Sequence, residues 1–320
     1  MNFRFTTATT AVIALMMSLL FGACSNDDLP KDDAVTPPAL EQPGDSIEPS
    51  NPDTVPAVDK VAMAIALKSE ICAITTEGHS KRTYKQLWTD FRTTDARTDG
   101  TVRDLYDNTT RYEFGTNQDD GTGRKDVYNR EHSVPKSWWG HSSSNNLQND
   151  PMYTDLFHLY PADRTANETR SNWPLGEVNG AISWTNGYCK LGQMTSKGYT
   201  GLVFEPADEI KGNLARTYFY FAARYEKANF QSWPEKYAYC FSRDAYPFYL
   251  QWSIDLFLKW NRLDPVDAEE RERNAAVESI QGNRNPFIDD SELAEYIWGD
   301  KMGQEYNTSR VTTPVAVWRY

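Results

Sequence analysis

The sequence contains few of the residues that build soft-metal or redox sites. Its 320 residues include four cysteines and four histidines, and neither a CxxC nor an HExxH pattern occurs. The missing CxxC argues against a zinc ribbon or a thioredoxin-like centre. The missing HExxH makes a zinc protease a weak interpretation.

The chain also lacks an excess of positive charge. Its formal net charge is −12. Residues 25–59 hold nine acidic residues and one basic residue, and the remainder from residue 60 still carries −5. A protein that grips DNA by phosphate neutralisation alone is usually basic, so this balance argues against tight non-specific binding. It is compatible with a local basic cleft that holds a cation.

The longest apolar stretch is short. It runs for about eleven residues over 11–21, which suits the core of a signal peptide and is too short to span a bilayer. The following Phe21-Gly22-Ala23-Cys24 resembles a bacterial lipobox. We therefore expect a signal peptide over 1–23 and a lipid anchor on Cys24 that holds the protein to a membrane. The alternative is plain secretion with cleavage near Ala23.

Residues 24–59 are rich in Pro, Asp, Ser and Glu and have almost no aromatic side chains. Such a segment buries too little apolar surface to offset its chain entropy, which predicts a disordered tether. Its acidic start, 25–28, resembles the export signal of Bacteroidetes surface lipoproteins. We expect one catalytic domain over 60–310 and a tail over 311–320. With Cys24 lipidated, Cys72, Cys189 and Cys240 allow at most one disulfide, and the three pairings stay open.

Helical periodicity predominates in the folded part. It predicts helices over 61–73, 84–91, 163–172 (with Asp163 as N-cap), 214–228, 250–262, 266–280 and 291–298. Strands are predicted over 100–106, 111–114, 126–129 and 154–159, and residues 173–205 are expected to be irregular with short strands near 181–194. The fold class is therefore α+β, a helix-rich single domain with a small central strand element.

Two segments carry the chemistry. Glu131 and His132 are adjacent in YNREHSVPKSWW (128–139), and Asn167 follows thirty-five residues after His132. Histidine accepts a proton readily at neutral pH. A carboxylate and an amide oxygen suit Mg²⁺, or another hard cation such as Mn²⁺ or Ca²⁺, better than Zn²⁺. We expect His132 to activate a water, Glu131 and Asn167 to bind the cation, and Arg164 and Arg170 to hold flanking phosphates.

Each of these residues also has an ordinary explanation. A Glu-His dipeptide is common, Asn167 near a helix start could be a cap, and Arg170 could simply complement a carboxylate. The residues by themselves leave these alternatives open.

The arrangement of blocks around the two segments is more specific. YNREHSVPKSWW (128–139), DPMYTDLFHLYPADRTANETRSNWPLGEV (150–178), GNLARTYFYF (212–221) and IQGNRNPFID (280–289) occur in that order. This set resembles the endonuclease I family, whose active site is a ββα-metal (His-Me finger) motif. The resemblance implies that His132 is the general base and that Glu131 and Asn167 bind one divalent metal. It also implies cleavage of DNA, often RNA too, with little sequence preference and with 5′-phosphate ends.

The chain departs from the family pattern at two places. Phe157 occupies the first histidine position of the usual Asp-Leu-His-His-Leu or Asp-Leu-His-Asn-Leu sequence. Residues 140–151 contain no Arg or Lys, although some members place an arginine there that approaches the scissile phosphate. Arg164, Arg170 or Arg284 is a candidate replacement.

Other side chains are weaker candidates. His158, Asn129, Gln281 and Asn283 could support the site, and Arg216 could contact a phosphate. His79 and His141 are expected to be structural or surface residues. The aromatic clusters, such as Trp138 and Trp139, are expected to be core rather than base-stacking platforms.

The sequence thus predicts a metal-dependent nuclease outside the cytoplasm. We expect a monomeric outer-membrane lipoprotein, on the cell surface or the periplasmic face, that acts on DNA and possibly RNA. The alternative from another class is a non-catalytic surface lipoprotein that binds glycans through some of its ten tryptophans.

Overall fold

The computed structural model describes residues 57–139 and 150–312. The predicted signal peptide, residues 24–56 of the predicted tether (Cys24 among them), His141 and most of the predicted tail lie outside these ranges. Residues 57–59, which were also expected to belong to the tether, instead begin the first helix. No helix within the described ranges is long and apolar enough to cross a membrane.

Most of the described chain is helical, and the core forms around one central helix. The helices are α1 (Ala57–Thr76), α2 (Leu87–Thr94), α3 (Arg164–Arg170), α4 (Lys211–Arg224), α5 (Gln251–Leu263), α6 (Ala268–Gln281), α7 (Pro286–Asp289), α8 (Leu293–Trp298) and α9 (Ser309–Thr312). Almost every side chain of α4 is buried, and α4 packs against α1, α5 and α7. The helix is buried on all sides although it carries polar residues, and its buried Arg216 is paired with Glu270.

Local sequence signals explain where α6 begins and ends. Asp267 is its N-cap and accepts a hydrogen bond from the Glu270 amide. Acidic residues also occupy the first turn, where their negative charge is stabilised by the positive end of the helix dipole. The helix stops at Gly282, whose φ of 84° is left-handed and suits glycine. The predicted helix over 266–280 is confirmed with a shift of about two residues.

The strands form two small antiparallel sheets. β1 (Tyr128–His132) pairs with β2 (Leu159–Asp163), so that Tyr128 lies opposite Asp163 and His132 opposite Leu159. The second sheet has the order β3 (Ile182–Thr185), β4 (Lys190–Ser196), β5 (Tyr199–Glu205). Helices and strands in separate blocks make the fold α+β, as expected.

The predicted central strands were partly misplaced. The strand expected over 126–129 begins at Tyr128 and extends through His132. Residues 154–158, expected to be a strand, are irregular and follow a 3₁₀ turn over Pro151–Tyr153. The cause is Asp155, whose buried carboxylate accepts hydrogen bonds from the Phe157 amide and from distant side chains. These bonds hold the backbone in a local turn instead of a strand ladder.

The strands expected over 100–106 and 111–114 do not form. The chain there makes an isolated bridge between Ala96 and Val102, and the Val102 amide donates to the Tyr112 carbonyl at 2.8 Å. Asp104 and Asp107 each accept hydrogen bonds from backbone amides two and three residues further on. Such aspartate turns compete with strand pairing.

The cysteines and the aromatic residues contribute to the core. Cys72, Cys189 and Cys240 are all buried and free, so none of the three possible disulfides forms. None of the nine tryptophans in the described ranges is fully exposed, and six are buried. The expectation that the aromatic clusters are core is confirmed for these six, and Trp88, Trp173 and Trp184 are half-buried.

Candidate active site

Residues of β1 and α3 line a cavity of about 480 Å³, and β2, which pairs with β1 and leads into α3, sets their relative positions. β2 runs directly into α3 because Asp163 caps the helix, accepting a hydrogen bond from the Ala166 amide at 2.7 Å. Antiparallel pairing places β1 alongside, so Glu131, His132 and Asn167 all line the cavity. The structure therefore brings together the three residues that the sequence singled out.

His132 is held in one tautomer by its surroundings. Only 6% of the residue is exposed, and its ring stacks on Tyr153 with a centroid separation of 5.2 Å. Its Nε2 lies 3.1 Å from the Tyr153 carbonyl oxygen, which can only accept, so Nε2 carries the proton. Nδ1 is then free of a proton. Burial and the neighbouring His158 hold the pKa of His132 well below its usual value, so the ring is neutral at neutral pH.

Glu131 is a buried carboxylate with two partners on the same oxygen. Its Oε1 accepts from the Tyr106 hydroxyl at 3.0 Å and lies 3.3 Å from Nη1 of Arg170. Burial raises the pKa of Glu131 to about 7, and Arg170 and Tyr106 act in the opposite direction.

Asn167 is oriented by a second asparagine. Its Nδ2 donates to Oδ1 of Asn129 at 2.6 Å. Because the amide nitrogen is used in this bond, the amide oxygen of Asn167 is the atom left for a ligand. The prediction that Asn129 supports the site agrees with this contact, and Asn129 lies on β1 two residues before Glu131.

The structure contradicts the phosphate-binding role predicted for Arg170. Its side chain is fully buried, so no phosphate can reach it. Its guanidinium instead contacts Glu131 and donates to the Ser133 carbonyl at 2.5 Å and to the Tyr218 hydroxyl at 3.0 Å. The ordinary explanation, in which Arg170 complements a carboxylate, is therefore correct.

Arg164 is also committed to carboxylates. Its Nη1 lies 3.2 Å from Asp119, and its Nε donates to Glu168 at 2.7 Å. Arg164 is not among the residues that line the cavity. The prediction that Arg164 binds a flanking phosphate is not supported, because its Nε and Nη1 are already paired with carboxylates.

His158 packs behind His132 rather than facing the cavity. It is fully buried, its Nε2 lies 2.6 Å from the Met152 carbonyl oxygen, and its ring centroid is 5.7 Å from that of His132. Burial lowers the pKa of His158 to about 4, so a neutral imidazole packs beside the His132 ring. Phe157 points elsewhere and packs against Tyr220 at 4.8 Å.

Gln281 and Asn283 do not reach the cavity. Gln281 accepts from the Leu156 amide at 3.0 Å and donates to Asp155 at 2.8 Å and to Asn283. Asn283 donates to the Tyr220 hydroxyl at 2.8 Å. Their polar groups are engaged in these contacts, which does not agree with the expectation that they could support the site. They hold the turn that precedes β2.

The other arginine candidates are paired as well. Arg216 is buried and forms a forked contact with Glu270 at 2.8 and 2.6 Å. Arg284 binds Asp289 and Glu278. Neither is available to a phosphate.

Sequence reasoning missed Tyr106, Arg130 and Lys136. Tyr106 comes from a distant loop and has no local signal. Arg130 and Lys136 line the cavity and lie inside the 128–139 block, so their closeness to Glu131 and His132 was a usable signal.

The donor atoms around Glu131 and Asn167 suit a hard cation. No group of three or more His, Cys, Asp or Glu side chains within 57–139 and 150–312 is arranged to hold a metal ion. One carboxylate oxygen and one amide oxygen, with water in the remaining positions, match the preferences of Mg²⁺. The residues present therefore fit the predicted kind of metal.

Comparison with known proteins gives the class. A family model described as Endonuclease I matches residues 64–292, which is more than half of the chain. The chain belongs to the endonuclease I family, and it is a nuclease.

Individual relatives agree. The chain is 34% identical to an extracellular ribonuclease of Bacillus amyloliquefaciens over 236 residues, which cover 73% of this chain and 74% of the relative. It is 33% identical to an extracellular ribonuclease of Bacillus subtilis over 237 residues, with the same coverage. A periplasmic deoxyribonuclease of Aeromonas hydrophila is 28% identical over 170 residues, 50% of this chain and 62% of that relative.

Proposed function

We propose that this nuclease is a metal-dependent, largely sequence-non-specific endonuclease with a ββα-metal site built by β1, β2 and α3. The observation that carries this proposal is the His132 tautomer. Nε2 is tied to the Tyr153 carbonyl, so Nδ1 is left as a proton acceptor in the same cavity as a carboxylate and an oriented amide oxygen.

His132 acts as the general base. Its Nδ1 takes a proton from a water, and the resulting hydroxide attacks phosphorus in line with the 3′-oxygen that departs. The bond between phosphorus and the 3′-oxygen breaks, the 3′-oxygen takes a proton from solvent and leaves as a 3′-hydroxyl, and the phosphate stays on the 5′-oxygen of the other fragment. The low pKa of His132 keeps Nδ1 unprotonated at neutral pH, and stacking on Tyr153 fixes the ring direction.

Glu131 Oε2 and Asn167 Oδ1 would hold one divalent cation, Mg²⁺ or another hard ion such as Mn²⁺ or Ca²⁺. A cation bound there neutralises charge that develops on the phosphoryl oxygens and on the leaving 3′-oxygen. Arg170 and Tyr106 keep Glu131 in place through Oε1, and Asn129 keeps the Asn167 amide from turning over.

The substrate is DNA and possibly RNA. The relatives support both, since those above 30% identity are named ribonucleases and others are named deoxyribonucleases. Their extracellular or periplasmic names support a place outside the cytoplasm. The lipobox-like sequence at 21–24 supports an outer-membrane lipoprotein anchored through Cys24, and we propose that it acts as a monomer.

A plasmid-nicking assay tests the proposal. Wild type should convert supercoiled DNA with Mg²⁺ and should stop when a chelator is added, while His132→Ala should lose at least a hundredfold in rate, as expected for a general base. His79→Ala is the matched control, because His79 lies outside this cavity. Equal rates with metal and with chelator, or an undiminished His132→Ala, would overturn the proposal.

A further inference from the structure

The cavity contains two cationic side chains, Arg130 and Lys136, for which the proposed chemistry has no role. The carboxylates that line the cavity do not pair with them at salt-bridge distance. Asp119 and Glu168 pair with Arg164, and Glu131 pairs with Arg170. Within the described ranges, neither Arg130 nor Lys136 forms an ion pair.

Arg130 is held in place by aromatic rings instead of by an acid. Its guanidinium carbon lies 3.5 Å from the ring centroid of Tyr84 and 4.2 Å from that of Trp88. Its Nη1 donates to the Tyr84 backbone carbonyl at 2.6 Å. The Tyr84 carbonyl takes one of the five N–H groups of the guanidinium, so N–H groups remain for a further acceptor.

A guanidinium that is held by aromatic rings and keeps unused N–H groups is preorganised to bind an anion. Stacking limits its motion, which reduces the entropy lost when a ligand binds, and its remaining N–H groups match the spacing of two phosphate oxygens. Arg130 is also well placed to bind a phosphate next to the proposed site, because it directly precedes Glu131 on β1 and its charge acts on His132.

Lys136 adds a second positive charge, four residues after His132 in the sequence. It is exposed, begins the 3₁₀ turn Lys136–Trp139, and its charge acts on both Glu131 and His132. An exposed ammonium is a mobile point charge and suits a backbone phosphate that needs no fixed direction.

We propose that Arg130 and Lys136 form a phosphate-binding subsite for the nucleic-acid strand beside the scissile bond. Arg130 is the fixed element and takes two oxygens of one phosphodiester, while Lys136 contacts a neighbouring phosphate. This subsite rests on the proposed function, and it supplies the local positive charge that an acidic protein needs in order to hold a polyanion.

The test separates binding from chemistry. In full-length protein carrying His132→Ala, binding of a short fluorescent single-stranded DNA is measured by anisotropy with Mg²⁺ over a range of salt concentrations. Arg130→Gln and Lys136→Gln should each reduce the slope of log affinity against log salt by about 0.7, the value for one lost phosphate contact on a single strand. Arg124→Gln is the control, because Arg124 is exposed, lies outside the cavity and pairs with Asp126.

Activity gives a second readout. With His132 present, Arg130→Gln should lower kcat/KM by about 10- to 100-fold, in line with loss of a charged hydrogen bond, and should leave the Mg²⁺ requirement unchanged. Arg130→Lys should keep the salt slope and still lower kcat/KM, because it retains the charge and loses the fork.

The outcomes separate the two proposals. A wild type that does not nick DNA defeats the proposed function, whatever Arg130 does. An active wild type for which the Arg130→Gln slope equals that of Arg124→Gln, with kcat/KM within twofold, overturns the subsite. If Arg130→Gln unfolds because the stacking is lost, Lys136→Gln on the exposed side decides: an unchanged slope there also overturns it.

Discussion

The buried Arg170–Glu131 pair gives a prediction about stability. In Arg170→Met the side chain keeps much of its volume and loses its charge. The variant leaves the Glu131 carboxylate without its ion-pair partner inside the protein. Removing one member of a buried pair costs about 3–5 kcal/mol, because the remaining charge is not compensated. The Ser133 carbonyl also loses its hydrogen bond from Arg170, but it keeps a partner because the Tyr218 hydroxyl still donates to it at 2.6 Å.

A double-mutant cycle measures this effect. The free energy of unfolding in urea is determined for wild type, Arg170→Met, Glu131→Gln and the double variant, without added metal. We expect Arg170→Met alone to be the least stable and the double variant to recover on the order of 1–3 kcal/mol, because the uncompensated charge has gone. Arg170→Lys, which keeps the charge, should lie between Arg170→Met and wild type.

An Arg170→Met variant as stable as wild type would instead support the role in phosphate binding that the sequence predicted for Arg170. If Arg170 contacted a substrate phosphate, Arg170→Met would unfold like wild type within about 0.5 kcal/mol, as surface substitutions do. The same variant in the His132→Ala background would then show a smaller salt slope for DNA binding. Either observation would refute the reasoning from burial.

Two further predictions concern groups around the site. Asn129→Ala should weaken Mn²⁺ binding, followed by electron paramagnetic resonance, by about 10- to 100-fold, because the Asn167 amide loses the partner that orients it; unchanged affinity would contradict this. Asp104 has a buried oxygen without a hydrogen-bond partner, and burial raises its pKa to about 8 from an ordinary 3.8. Between these values the native state holds a proton that the unfolded state releases, so stability should fall as pH rises, by on the order of 1.4 kcal/mol per pH unit. Asp104→Asn should flatten this slope in urea unfolding, and an unchanged slope would contradict the assignment.

The sequence was informative where the cause is local. Periodicity located the long helices, and Asp163 predicted both the start of α3 and the position of Asn167 in its first turn. Glu131 and His132 offered a carboxylate and a base side by side, and the order of the sequence blocks around them, which resembles the endonuclease I family, made the assignment specific. Glu131, His132 and Asn167 meet in one cavity because β1 pairs with β2. The resemblance to a ββα-metal motif implies this pairing, whereas composition alone does not show it.

The errors arose where distant groups decide the structure. Asp155 replaced an expected strand by a turn, because Tyr220, Tyr225 and Gln281 reach it from α4 and α6. Arg170 looked like a phosphate ligand because the chain does not reveal how deeply a side chain will be buried. Tyr106 contacts Glu131 across twenty-five positions in sequence, with nothing in its own neighbourhood to mark it.

The free state of Cys72, Cys189 and Cys240 has a consequence for how this nuclease can be produced and handled. Within the described ranges no covalent cross-link holds the helices around the cavity, so the same site assembles in reducing and oxidising solutions alike. Thiol reductants in a purification buffer should leave its geometry intact. The burial of all three sulfurs also keeps them from pairing between molecules during storage.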